Sequence, residues 1–160
     1  MSSSTSALYI PVQSPVKDCD SRLPNHVTVL FPFLPVSQVS PDVLAKLSFL
    51  AQQVSASSVV FDRVFVFPSD HVVFLPKDND FFLSLIASFA DCFNVLPYGG
   101  LFAEVVPHMT VANVSQSSRK VSIVQRFVDL LPLSGVFSEL VLCETSGKPY
   151  RTLHRFSFAQ

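Results

Sequence analysis

His26-Val27-Thr28-Val29, inside the apolar run from Asn25 to Phe33, is answered by His108-Met109-Thr110-Val111 inside a second run from Val105 to Val114. Each is a His-x-Thr-x tetrapeptide in β-branched surroundings, which favour extended chain. In a strand, residues i and i+2 share a face. Each tetrapeptide therefore presents an imidazole beside a hydroxyl, with aliphatic side chains turned the other way. The chain has only 4 histidines, and two of them carry Thr at the second position after. Chance gives that doublet in roughly two sequences in a hundred. Two such strands facing each other gather two imidazoles and two hydroxyls around one spot, a set of groups suited to phosphoryl transfer at a ribose.

Around these strands the chain shows a repeated order. Ala7 to Val12 is a short strand, followed by a polar, Pro-bounded link from Gln13 to Pro24. The first motif strand runs from about His26 to Phe31, where Pro32 and Pro35 stop it. Ser40-Pro41-Asp42 has the composition of a helix start, with Ser at the N-cap, Pro at N1 and an acid in the first turn. Val43, Leu44, Leu47, Leu50, Ala51 and Val54 follow at helical spacing. Val59 to Phe67 and His71 to Leu75 form a hairpin about Pro68-Ser69-Asp70. Asp78 to Phe93 is a second helix with Phe81, Phe82, Leu85, Phe89 and Phe93 turned inward, and Leu96 to Leu101 is a loop.

The order then recurs. Pro107 to Val114 is the second motif strand, and Ser115 to Leu131 a helix with Val121, Val124, Phe127, Val128 and Leu131 at core spacing. Val136 to Cys143 and Tyr150 to Phe158 close the chain as strands. Strand, helix and hairpin, twice over and without βαβ regularity, predict an α+β fold. The expected form is bilobal and pseudo-symmetric, two mainly antiparallel sheets lining a central cleft with helices outside.

The 160 residues suffice for one domain with a real core, led by a flexible Met1 to Ser6. Hydrophobic content of 49% against 14% charged residues excludes a disordered chain. Mean hydropathy is +0.43, yet Val27 to Val36 and Phe81 to Phe93 are too short or too interrupted to span a membrane. The Ser-rich amino end lacks the Lys or Arg of a secretory signal. A soluble, cytoplasmic monomer without a membrane partner is expected. A net charge of -1 and a pI near 6.4 exclude a DNA duplex as partner and leave a small nucleotide or short RNA. Cys19, Cys92 and Cys143 lack CxxC spacing, so they are expected as free thiols in a reducing compartment. No histidine stands near a second His, Cys or carboxylate at metal-ligand spacing, so neither a metal nor another cofactor is expected.

His26-Val-Thr-Val-Leu-Phe-Pro-Phe33, Pro97-Tyr-Gly-Gly100 with Phe102, and Val106-Pro-His-Met-Thr-Val-Ala112 together resemble the 2H phosphoesterase superfamily. More narrowly, the chain is similar to the 2'-5' RNA ligase-like and cyclic phosphodiesterase-like proteins, from Ala7 to Phe158. The resemblance implies a bilobal α+β fold with both motifs in a central cleft, no metal, and activity on 2',3'-cyclic phosphates or 2'-5' phosphodiester bonds. It also implies that His26 and His108 are catalytic and that Thr28 and Thr110 bind phosphate.

The chemistry agrees with the residue types. A base must take a proton from the attacking oxygen and an acid must protonate the departing one, and histidine serves both near neutral pH. Threonine hydroxyls hold the non-bridging oxygens as charge develops. Tyr98 and Phe33 are aromatic faces on which a base would stack at the cleft mouth, although in a chain with 16 Phe core packing is the stronger reading for Phe33. His71 and His154 lack a Thr partner and are expected to be structural. Lys148, Arg151 and Arg155 are expected on a solvated strand face. The expected activity is metal-independent phosphodiester cleavage of small RNA-type nucleotides. The alternatives are 2'-5' RNA ligation and a catalytically silent nucleotide- or RNA-binding module.

Overall fold

Eight strands and three helices are described in the computed structural model, which covers residues 4–20 and 22–160. The strands are β1 (Ser6–Pro11), β2 (His26–Leu30), β3 (Ser57–Val66), β4 (His71–Pro76), β5 (Met109–Asn113), β6 (Leu133–Phe137), β7 (Glu139–Glu144) and β8 (Arg151–Ser157). The helices are α1 (Pro41–Gln52), α2 (Asp80–Phe93) and α3 (Lys120–Val128). The fold is α+β, as the element pattern predicts.

Local chemistry accounts for the helix ends. The Ser40 hydroxyl accepts from the Val43 amide at α1, with Pro41 and Asp42 behind it in the first turn. Asn94, in the left-handed region at φ 53°, ends α2. Helix α3 begins later than the apolar spacing suggests, because its serines form a turn first. The Asn113 side-chain Oδ1 accepts from the Ser115 amide, and the Ser117 hydroxyl accepts from the Arg119 amide. Ile123, Val124 and Phe127 face the core from α3, whereas Val121 (84% exposed) and Val128 do not. All three helices pack into the one large apolar cluster, with Leu8, Ile10, Val27, Phe74 and Leu140 among its strand residues. The other face of the sheet is left free of helices.

The expected two sheets are hydrogen-bonded into one. Its strand order is β6-β3-β4-β5-β2-β1-β7-β8, and every neighbouring pair is antiparallel. The two copies of the strand-helix-hairpin order are also interleaved. The β3–β4 hairpin, which follows the first motif, pairs with the second motif strand β5. The β7–β8 hairpin, which follows the second motif, lies beside β1 and so beside β2. Each half of the sheet therefore takes its motif strand from the other copy.

The expected strand from Val136 to Cys143 is two strands. Ser138 separates β6, which pairs with β3, from β7, which pairs with β1 and β8. No Gly or Pro marks the break; it follows from the curl of the sheet. Gln13, just past β1, exchanges two backbone hydrogen bonds with Val136, drawing edge strand β6 back toward β1. Gly135 permits that approach, since a Cβ there would lie 2.4 Å from Val12 Cγ1.

Met1 to Ser3 of the expected flexible lead-in lie outside the described residues. Ser4 to Ser6 are tied down instead: the Ser6 hydroxyl donates to the Leu34 carbonyl, and the Ser4 and Thr5 carbonyls accept from the Val36 and Thr145 amides. Among the described residues no helix is long and apolar enough to cross a membrane. The three cysteines are free thiols, with Cys143 buried and Cys19 and Cys92 exposed.

Candidate active site

The motif strands β2 and β5 are neighbours at the centre of the sheet, joined through the pairing of Val27 with Met109. Both of these side chains are fully buried on the core face, as are Val29 and Val111. His26 and Thr28, and likewise His108 and Thr110, are half-buried on the opposite face. Continued one residue either way, the antiparallel register sets His26 across from Thr110 and Thr28 across from His108. Residues directly opposite have Cβ atoms about 4.5–5.5 Å apart. Four groups from sequence segments far apart thus converge on one helix-free face.

The two imidazoles are held alike. Nδ1 of His26 lies 2.7 Å from the Pro24 carbonyl, and Nδ1 of His108 lies 2.7 Å from the Val106 carbonyl. A carbonyl only accepts, so each Nδ1 carries the proton and each neutral ring leaves Nε2 as a free base. An aromatic edge braces each ring as well. Tyr9 meets His26 at 5.2 Å between ring centroids, and Phe67 meets His108 at 4.9 Å. Burial pushes the pKa of His26 below the ordinary range, and the charge of His108 adds to the effect; the Pro24 carbonyl and Asp20 oppose it. Burial likewise lowers His108, with the Val106 carbonyl opposing and His71 assisting.

A loop closes one end of this face. The Asn25 side chain is buried and donates to the Val16 and Lys17 carbonyls, while its backbone amide donates to Asp18. That pins residues 16–18 beside His26. From the same loop the Cys19 thiol donates to the Thr110 carbonyl at 3.4 Å, reaching the second motif strand. Arg22 is paired with Asp20 at 2.6 Å and stands over the Tyr150 ring. On the far strand Arg151 pairs with Glu144 and Arg155 with Glu139. Arg22, Arg151 and Arg155 therefore each have a carboxylate partner.

Tyr98 does reach the site. It sits at φ 53°, followed by Gly99 at φ 64°, in the short 3-10 turn Pro97–Gly100. Burial raises its hydroxyl pKa, and the neighbouring Thr28 hydroxyl pulls the other way. Phe33 is a correction. It is 6% exposed and packs edge-on against Phe93 of α2 at 5.0 Å, inside the core rather than at the cleft mouth. Pro32 ends the strand before it and the chain turns inward, so its ring is not available to a base.

Sequence reading missed Tyr9, Phe67, Asn113 and the loop with Cys19. Tyr9 carried a usable signal, because it alternates with Leu8 and Ile10 and so must face away from the core. His71, expected to be structural, stands beside Asn113 near His108. Among the described residues no three His, Cys, Asp or Glu side chains are grouped to hold a metal ion.

The sequence matches the model of the 2'-5' RNA ligase superfamily over residues 13–149, a span that contains both motifs. No curated protein sequence matches the chain. Among solved structures the fold is similar to E. coli LigT in apo form, with a TM-score of 0.62, 15% identity and 100% of both chains covered. It is similar to E. coli LigT complexed with 3'-AMP, with a TM-score of 0.57, 16% identity, and 99% of this chain and 100% of that chain covered. A crystal structure described as a phosphoesterase gives a TM-score of 0.59 at 16% identity, covering 98% of this chain and 99% of that chain. The chain belongs to the 2'-5' RNA ligase superfamily, within the 2H phosphoesterases.

Proposed function

We propose that this superfamily member is a metal-independent phosphodiesterase that opens 2',3'-cyclic phosphates or cleaves 2'-5' phosphodiester bonds in small RNA-type nucleotides. The observation that carries the reading is the Val27–Met109 register, which sets each histidine against the threonine of the other motif. A phosphate between the strands would meet an imidazole on either side and a hydroxyl on either side. Both Nε2 atoms are free to exchange protons, because both Nδ1 atoms are held by carbonyls.

In ring opening, the neutral imidazole takes a proton from water as the water oxygen bonds to phosphorus. The bond from phosphorus to one ribose oxygen breaks, and the protonated imidazole gives its proton to that oxygen. The product is a 2'- or 3'-phosphomonoester. In cleavage of a 2'-5' bond the ribose 3'-hydroxyl takes the place of water and the 5'-oxygen departs, leaving a 2',3'-cyclic phosphate. The two histidines exchange roles between these steps. Each proton transfer contributes on the order of 100- to 10,000-fold, and Thr28 and Thr110 hold the non-bridging oxygens.

The substrate is short. Gripping a long RNA takes several unpaired cations along its backbone, and Arg22, Arg151 and Arg155 are each engaged by a carboxylate. The binding of 3'-AMP by E. coli LigT supports a nucleotide of this size. The test is turnover of a panel of 2',3'-cyclic mononucleotides and 2'-5' oligoadenylates with a chelator present. Turnover that persists with chelator is expected; failure on the whole panel, or loss on chelation restored by a divalent metal, would overturn the reading.

A further inference from the structure

Beyond Thr110 the cleft face continues into a second group of polar and aromatic side chains. Strand β4 pairs Val73 with Thr110 but Val72 with Ala112, so β5 carries one extra residue, Val111. This bulge turns Asn113 onto the face of His108 and Thr110, where simple alternation would turn it away. His71, the partner of Asn113, shares that face with Val73, and Phe65 is the partner of Val73 on the next strand. Phe65 is 48% exposed and meets Phe67 edge-on at 5.4 Å, while Phe67 itself braces His108.

The hydrogen bonds here fix which atoms face outward. The Ser115 amide donates to Asn113 Oδ1 at 2.9 Å and the Ser115 hydroxyl does so at 2.6 Å. A backbone N–H only donates, so the orientation of the amide is determined and both Oδ1 lone pairs are used. Asn113 Nδ2 then faces His71 Nε2 at 3.3 Å. That nitrogen accepts, which puts the His71 ring proton on Nδ1, where it donates to the Ser69 hydroxyl at 2.7 Å. Asn113 is left with one outward N–H and no lone pair to offer.

We propose that Asn113, held by His71 and Ser115 on the sheet face that also carries the exposed ring of Phe65, is part of a nucleobase subsite that prefers keto bases, uracil and guanine, over cytosine and adenine. The inference rests on reading the cleft as a nucleotide site. An aromatic face stacks any base, so Phe65 supplies contact without choice. Choice comes from the amide. For a base seated with its C4 (pyrimidine) or C6 (purine) substituent against the amide, the free N–H pairs with the O4 of uracil or the O6 of guanine. In the same seat the N4 amino group of cytosine and the N6 amino group of adenine bring a donor against a donor. The usual two-point reading of adenine by asparagine needs a free Oδ1, and here Ser115 occupies it.

Two measurements test this on the full chain. The first is kcat/KM for the four 2',3'-cyclic mononucleotides; the second is the affinity for the four nucleoside 3'-monophosphates by calorimetry. Uridine and guanosine should lead cytidine and adenosine by about fivefold to tenfold in each. Asn113→Ala should bring that ratio near one by slowing the keto substrates while leaving the amino ones within about twofold. The ratio between bases is the readout, because a misfolded fraction lowers all four together. Equal constants for all four bases in the wild type, or an equal loss across all four in Asn113→Ala, would overturn the subsite while turnover itself still supported the diesterase. Absence of turnover with the base preference intact in binding would overturn the diesterase and leave the subsite standing.

Discussion

Val27 and Met109 are cross-strand partners at the centre of the sheet, and each is the middle residue of a His-x-Thr motif. The spacing between the motifs is therefore the spacing between hydrogen-bonded strands, about 4.8 Å, and not the reach of a loop. Each half of the sheet brings a motif strand whose polar face is turned out because its aliphatic face is buried. Burial of Val27, Val29, Met109 and Val111 thus orients the four polar groups as well as stabilising the fold. The same packing sets the rings in partly dehydrated surroundings, which is why both histidines resist protonation.

Substituting either histidine should stop the reaction and spare the fold. His26→Ala and His108→Ala are each expected to lower kcat by at least about 100-fold. The double variant should be little worse than either single one, because the two act as a unit. Both rings are half-buried on the helix-free face, so far-ultraviolet circular dichroism should not change. Activity within tenfold of wild type in either folded single variant would rule out paired proton transfer.

The pH dependence has a definite sign. Both folded-state pKa values lie below the unfolded value of about 6.5. The free protein with one neutral and one charged imidazole is then most abundant on the acid side of 6.5. The kcat/KM profile should be bell-shaped with its maximum there, reporting apparent values that belong to the pair. A bound phosphate anion favours the charged imidazole, so the kcat maximum should lie at higher pH than that of kcat/KM. Stability follows the same linkage: between the unfolded and folded values the unfolded chain binds more protons. The contribution is full above about 6.5 and lost as pH falls through the folded values. Thermal melts from pH 7.5 to 5 should show a decline that His26→Asn and His108→Asn each make shallower; identical slopes would show that the rings are not dehydrated.

Both motif strands and the sharing of a face by His and Thr were legible because a strand has period two and its buried side is aliphatic. The start of α1 was legible because Ser40-Pro41-Asp42 is a purely local signal. The pairing of strands was not. Nothing local in Ser138 separates β6 from β7, since the division arises from partners elsewhere in the chain. Nor does the order of elements disclose that each hairpin joins the motif strand of the other copy. Phe33 shows the limit for site residues: an aromatic next to a motif in a Phe-rich chain is more readily a core residue, and the inward turn after Pro32 makes it one. Asn113 was hidden for a different reason, because a one-residue bulge reverses the face that alternation assigns.

Phe33 and Tyr98 should separate in mutation. Phe33→Ala empties a core position against Phe93 and is expected to cost about 3–5 kcal/mol of stability, with KM of the folded protein unchanged. Tyr98→Phe keeps the ring and removes the hydroxyl beside Thr28. With the ring retained, only one hydroxyl contact is lost, so the variant is expected to cost no more than about 0.5–1.5 kcal/mol of stability and to lower kcat/KM about threefold to tenfold. Chemical denaturation and steady-state kinetics on the two variants decide the matter. A KM effect from Phe33→Ala at full folding would return that ring to the cleft.

The substrate should be one whose phosphate is next to a ribose hydroxyl. In the proposed mechanism the threonines donate only neutral hydrogen bonds, and the one full positive charge beside the phosphate is that of the protonated imidazole. Much of the remaining barrier must then be met by the geometry of the substrate, and a vicinal oxygen already held near phosphorus supplies it. Well-oriented intramolecular attack is worth roughly 7–11 kcal/mol. A 2'-5' dinucleotide has its 3'-hydroxyl so placed, and a 2',3'-cyclic phosphate is the strained product of that attack. A 2'-deoxy 3'-5' dinucleotide has no such oxygen and should be inert over a time in which the 2'-5' ribose compound is consumed. Mass spectrometry of the products should find a 2',3'-cyclic phosphate first and a monoester later from the 2'-5' substrate. Cleavage of the deoxy compound at a comparable rate would mean that the attacking oxygen is always water, and the two-step course would fall.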